Sequence, residues 1–152
     1  MRSVPPADAP SADERMLLFR SGSTQYALQV SAIGGVTDWG EIRRVPGAPS
    51  SVLGLTERRG KLLMVLDLPR LLGRPIGERA RCLVRMAPPF HQSAMALPQT
   101  IRVVRIRDPL VPAPAEPDEV VCSQFEHEGQ PVRLIDPRLV ARLVERELPA
   151  SR

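Results

Sequence analysis

The chain has 152 residues, with 21 Lys and Arg against 17 Asp and Glu for a net charge of +4. That length holds one ordinary domain or two very small lobes sharing a core, and only 3% of residues are aromatic, which leaves the core to Leu, Val, Ile, Ala and Met. No run approaches the roughly 18 consecutive apolar residues of a membrane helix, and the N-terminus lacks the apolar stretch of a signal peptide, so the expected location is cytoplasmic.

Residues 1–14 combine Pro, Ala, Ser, Asp and Glu with little to bury and are expected to form a disordered tail. Met16 to Arg20 reads as a short apolar strand, with a turn at Ser21-Gly22-Ser23. Thr24 to Val30 alternates, placing Tyr26, Leu28 and Val30 on one face, as a half-buried strand requires. Gly34-Gly35 invites a bulge or a close backbone approach, and the strand-like EIRRV follows Trp39-Gly40.

The organising stretch runs from Val45 to Gly73. Val52 to Leu55 reads as a strand, Arg58-Arg59-Gly60-Lys61 as a basic hairpin turn, and Leu62 to Leu66 as the return strand. Asp67 is placed to N-cap a short helical turn, in whose first residues Pro69 is tolerated, and Gly73 ends it. Arg74 to Arg79 is a polar connection. Further strands are expected at Ala80 to Ala87, Ser93 to Leu97, Ile101 to Ile106, Val120 to Phe125 and Val132 to Ile135. The polar residues of IRVVRIR are all Arg, giving that strand a basic face. The loop from Asp108 to Asp118 is too rich in proline for a strand interior. After Asp136, Leu139, Val140, Leu143 and Val144 recur at helical spacing.

The central phrase returns near the C-terminus. Val121, Gly129 and Asp136 each follow Val52, Gly60 and Asp67 by 69 residues, and Ala96-Leu97 follows Ala27-Leu28 at the same offset. The chain therefore reads as two copies of one small β unit.

Little here points to catalysis. Asp67 and Asp136 look like a carboxylate pair, but each has an N-cap explanation. His91 and His127 fall at expected turns without Cys, Ser or acidic partners at ligand or triad spacing, and Cys82 and Cys122 sit in apolar runs without metal spacing. There is no phosphate-binding glycine loop and no nucleophile motif, so neither an enzyme nor a cofactor nor a metal site is expected. An alternative is a small basic β-barrel that binds nucleic acid through Arg43-Arg44, Arg58-Arg59-Lys61 and Arg102, Arg105 and Arg107, although scarce aromatics argue against single-strand stacking.

The block YALQVSAIGGV, RVPGAPSSVLG, Arg59-Gly60 and Val65 to Leu68 (VLDL) resembles the CheW family of bacterial chemotaxis coupling proteins, and the resemblance covers nearly all of Met16 to Val144. It implies an all-β fold of two SH3-like five-stranded barrels, with a short helix after Asp67 and a C-terminal helix. The expected division is a CheW-like domain over 15–148: a first barrel over about 21–79, a second over about 80–136, and the helix over about 137–147. It also implies two partners, the regulatory domain of a CheA-type histidine kinase and the cytoplasmic tip of a chemoreceptor. The implied partner-binding residues are Ile33, Gly35, Val36, Gly54, Arg58, Arg59 and Gly60. Arg59 also reads as a solvated or loop-pinning hairpin arginine, and Gly54 and Gly60 also read as backbone requirements. The chain departs from the family pattern at Gly35, where Glu is usual, at Glu57 and Arg58, which replace Asn and Leu, and at Met64, which replaces Pro. Ala94 and Pro98 stand where Gly and Asp are usual. These departures suggest a divergent paralogue, serving chemotaxis or a related system such as one controlling pili.

Overall fold

The computed structural model describes residues 14–73, 80–98, 101–107, 109–113 and 119–147. The expected N-terminal tail up to residue 13, the 74–79 connection and the Cys122 side chain lie outside the described residues. In chain order the strands are β1 (Glu14–Ser21), β2 (Thr24–Gln29), β3 (Ile33–Asp38), β4 (Val52–Arg58), β5 (Lys61–Asp67), β6 (Ala80–Met86), β7 (Ser93–Pro98), β8 (Arg102–Ile106), β9 (Val111–Pro112), β10 (Val121–His127) and β11 (Gln130–Ile135). Helix α1 (Leu68–Leu71) follows β5 and α2 (Pro137–Glu147) follows β11. A six-stranded sheet has the order β8-β1-β2-β11-β10-β9, and a five-stranded sheet the order β3-β6-β7-β5-β4. The sixth strand is β9, two residues of the proline-rich loop that pair with Ser123 and Gln124. Pro112 is tolerated there because β9 is an edge. EIRRV contributes one bridge, Arg43 to Leu55, and no full strand.

Three apolar clusters hold the sheets. Met16, Leu18, Ala27, Ile106, Phe125, Val132 and Leu134 fill the interior of the six-stranded barrel. Leu63, Val65, Leu83, Ala94 and Ala96, with Trp39, Ile42 and Leu53, fill the five-stranded one. The largest lies between the barrels, where Leu17, Phe19, Tyr26 and Leu28 of β1–β2 join Cys82, Val84, Met86, Met95 and Leu97 of β6–β7 in one cluster. Both hairpins are thus buried on both faces, which is why MLLF in β1 is a continuous apolar run instead of an alternation. The helices close this central core with Leu68 and Leu71 of α1 and Val140 and Val144 of α2.

The two copies are visible in the pairing. β4 pairs β5 from Val52–Leu66 to Arg58–Lys61, and β10 pairs β11 from Val121–Ile135 to His127–Gln130, each with a bulge after the first pair. Asp67 accepts from the Arg70 N–H and Asp136 from the Arg138 N–H, so both are helix caps as expected.

Two expectations are corrected. The barrels do not divide near residue 80: β1 and β2 complete the sheet built by β8 to β11, and β6 and β7 complete the one built by β3 to β5. The chain changes sheet within each copy, through the single 3-10 turn Val30–Ala32 in the first, because exchanged hairpins can each finish one barrel and bury their outer faces against each other. The 69-residue offset also does not extend upstream. Leu134 and Val65 are counterparts, and their parallel partners are Ala27 and Ala94, 67 residues apart. A slip of two residues is one pleat period and leaves every side chain on its own face.

Candidate partner-binding site

The residues singled out in the sequence all fall on the five-stranded barrel, but the structure gives them different tasks. Arg59 and Gly60 form the two-residue loop between paired Arg58 and Lys61, with φ of 52° and 76°. Positive φ at both positions is the type I′ geometry that matches strand twist, and Glu128 (52°) and Gly129 (77°) repeat it in the other copy. Arg59 is exposed and makes no hydrogen bond or ion pair among the described residues.

Arg58 spends its donors inside the chain. Its guanidinium donates to the carbonyls of Trp39 (2.8 Å), Asp38 (3.2 Å) and Glu57 (3.0 Å) and to the Thr56 hydroxyl (2.5 Å). Thr56, itself 3% exposed, donates on to the Glu41 carbonyl at 2.7 Å. With the Arg43–Leu55 bridge, these bonds lay the segment after β3 along β4 and close the barrel. Gly40 permits this, since a Cβ there would overlap the Arg58 guanidinium.

Gly54 does not join a surface. It is buried at the β4 bulge with φ of 153°, where a Cβ would overlap the Arg43 carbonyl, so its place is explained by this closing segment. On β3, Gly34 occupies the bulge against β6, and its carbonyl accepts from Arg85 at 2.9 Å. Gly35 is less constrained: a Cβ would lie 3.4 Å from the Arg85 guanidinium, an ordinary contact. Ile33 packs partly against the central core, whereas Val36 is 48% exposed.

Asp38 at the end of β3 is joined to the β4–β5 turn by Arg58, so Val36, Asp38, Trp39, Arg59 and Gly60 belong to one end of the barrel surface. Ile33 and Gly35 lie toward the other end of β3, beside Arg85. The surface also includes residues that sequence reasoning passed over. Leu62, directly after the turn, is 61% exposed, and with Leu55, Val45 and Pro46 it lines a groove of about 630 Å³ flanked by Arg43 and Glu57. An apolar residue facing outward beside a glycine turn was the available signal.

Burial pushes the Cys82 thiol above its usual pKa, which keeps it protonated and unreactive. His127 ends β10 with Nε2 3.1 Å from the Glu128 carboxylate. Among the described residues no group of three His, Cys, Asp or Glu side chains is placed to hold a metal.

Comparison with known proteins agrees with this architecture. The chain is 22% identical over 138 residues to a probable chemotaxis protein CheW of Rhizobium etli, covering 89% of this chain and 86% of that one. A segment of 62 residues is 31% identical to the chemotaxis protein CheW of Bacillus subtilis, covering 41% of this chain and 40% of the relative. In three dimensions the fold matches the scaffolding protein TtCheW from Thermoanaerobacter tengcongensis with a TM-score of 0.73 at 17% identity, over 82% of this chain and 89% of that one. The family model of the CheW-like domain matches residues 15–145, almost the whole described fold, and the chain belongs to the CheW family.

Proposed function

We propose that the protein is a non-catalytic adaptor of the cytoplasm that couples chemoreceptors to a CheA-type histidine kinase, in chemotaxis or a chemotaxis-like system such as one controlling pili. The observation that carries this reading is the family match running from residue 15 to 145 through both barrels and the central core. The site consists of exposed apolar and turn residues, Val36, Leu62 and Arg59, on a barrel fixed by its own hydrogen bonds, which suits docking. An adaptor needs two partners to share one body, so that the state of one biases the other through their differential contacts. Two barrels locked by a common core supply such a body.

The nucleic-acid alternative loses support. Arg43 pairs with Glu41, Arg102 pairs with Glu128, and Arg58 is spent on closing the barrel. Phe19, Tyr26 and Phe125 are buried and offer no stacking face.

Calorimetric titration with the regulatory domain of a CheA-type kinase at two salt concentrations tests the reading. Saturable binding that largely survives the higher salt is expected of a packed interface. Binding to nucleic acid that collapses with salt, and none to the kinase domain, would overturn it.

A further inference from the structure

Arg85 on β6 stands against the two glycines of β3, an edge strand of the five-stranded sheet. It is opposite Gly35 on one side and Ala94 on the other, it is half-buried, and its guanidinium donates to the Gly34 carbonyl at 2.9 Å. Gly35 leaves that guanidinium uncovered: a Cβ there would lie 3.4 Å from a terminal nitrogen and 3.9 Å from Nε. Among the described residues Arg85 makes no other hydrogen bond and no ion pair, and Asp38, the acid on the same edge strand, does not pair with it. A guanidinium carries five donors in a planar fork, so a cation held in place by the sheet keeps most of its donors unused.

The six-stranded barrel completes the corresponding place from within the chain. Leu18 takes the position of Arg85, since it is opposite Ala27 as Arg85 is opposite Ala94. Arg102 on β8 faces Leu18 as Gly35 on β3 faces Arg85. Arg102 pairs at 3.3 Å with Glu128 of the β10–β11 turn. In the five-stranded barrel the arginine stands on the neighbouring strand, and the turn residue that corresponds to Glu128 is Arg59, which is exposed and without an ion pair among the described residues. One barrel therefore carries an Arg–Glu pair there, and the other carries Arg85 and Arg59 with no carboxylate between them. Leu18 also shows that the fold does not require an arginine at this position.

Resting on the adaptor reading, we infer that Arg85 is a docking residue that receives an aspartate or glutamate of the protein seated along the β3 edge. That carboxylate takes the part that Glu128 plays toward Arg102 in the other barrel. Ile33, half-buried, and Val36, 48% exposed, lie on the same strand, so the docking segment presents its acid beside apolar residues. Arginine binds a carboxylate through two parallel N–H···O bonds. The bond to Gly34 already restrains the guanidinium, so docking costs it little further side-chain freedom.

The test is calorimetric titration of the full chain with the regulatory domain of a CheA-type kinase and, separately, with the cytoplasmic fragment of a chemoreceptor. Arg85→Gln should weaken at least one of the two about tenfold, the scale of one hydrogen bond between charged groups. Gly35→Glu sets a carboxylate of the chain's own against Arg85, so it should weaken the same titration and raise the urea midpoint; Gly35→Gln, equal in size and uncharged, should do both to a smaller degree. Should Arg85→Gln fail to fold, the comparison of Gly35→Glu with Gly35→Gln decides. Affinities unchanged in Arg85→Gln, or equal losses in the two Gly35 variants, would overturn the role of Arg85 and leave the adaptor reading standing. A wild-type chain that binds neither protein would overturn both, and Arg85-dependent binding of a DNA duplex in place of either protein would replace the carboxylate by phosphate and overturn the proposal as well.

Discussion

Two adjacent arginines in one turn should behave in opposite ways when removed. Replacing Arg58 by Ala deletes the donor to the Asp38 and Trp39 carbonyls, the bonds that tie the segment after β3 to β4. A hydrogen bond from a charged donor is worth about 1.5–3 kcal/mol when well buried. This guanidinium is only part-buried, so about 1 kcal/mol for each crossing bond is the appropriate scale. The bond to Glu57 O lies within one residue and adds little, and Thr56 keeps its own bond to Glu41. The sum is about 2 kcal/mol, which in a chain of this size lowers the melting temperature by about 4–8 °C. Arg59→Ala removes no hydrogen bond among the described residues and should change stability by less than about 0.5 kcal/mol. Arg59→Gly should be stabilising by up to about 1 kcal/mol, because φ of 52° is strained for any residue with a Cβ. Urea unfolding of the three variants measures all of this. Equal losses at Arg58 and Arg59, or no loss at Arg58, would refute the assignment of barrel closure to Arg58.

Arg59→Glu should weaken capture of the kinase domain or receptor tip while leaving urea unfolding nearly unchanged; a large loss of stability instead would make Arg59 a structural residue. Gly54→Ala should destabilise by about 2–4 kcal/mol, since backbone must move from the new Cβ, whereas Gly73→Ala meets open space and pays only for its positive φ; thermal unfolding compares them. Cutting the chain between Gly73 and Ala80 should give two fragments that are unfolded alone and regain β-sheet circular dichroism when mixed, because each holds the hairpin that completes the other's barrel. Independent folding of either fragment would contradict the exchange. The raised pKa of Cys82 means that the unfolded chain loses this proton first as pH rises through about 9.0, so the stability it contributes is present below that pH and falls above it. Cys82→Ala should flatten this alkaline slope in urea midpoints measured across pH.

Local chemistry was legible in the amino-acid sequence. Asp67 and Asp136 announce helix caps, Arg59-Gly60 and Glu128-Gly129 announce two-residue turns, and the common offset of 69 residues marks the strand-turn-strand-helix phrase as repeated. The caps and the turns depend on neighbours within a few positions, and the structure contains them where they were read. The resemblance carried by the RVPGAPSSVLG and VLDL blocks rests on local backbone demands of the same kind, expressed here as the β4 bulge, the turn and the cap.

The tertiary structure decided which hairpin completes which barrel, and with it the tasks of Gly54 and Arg58. Strand pairing is settled by burial between residues far apart in the chain, and MLLF in β1 satisfies a core on either side without saying which sheet lies there. Matching Ala27-Leu28 to Ala96-Leu97 concealed a slip of two residues because the pleat repeats every two. Gly54 reads in one dimension both as a backbone requirement and as a residue the resemblance gives to a partner, and Arg58 as the latter; the segment following β3 folds over them and makes one a close approach and the other a clasp. Sequence determines what each short stretch can be; the desolvation of surfaces brought together from distant stretches determines what each residue is for.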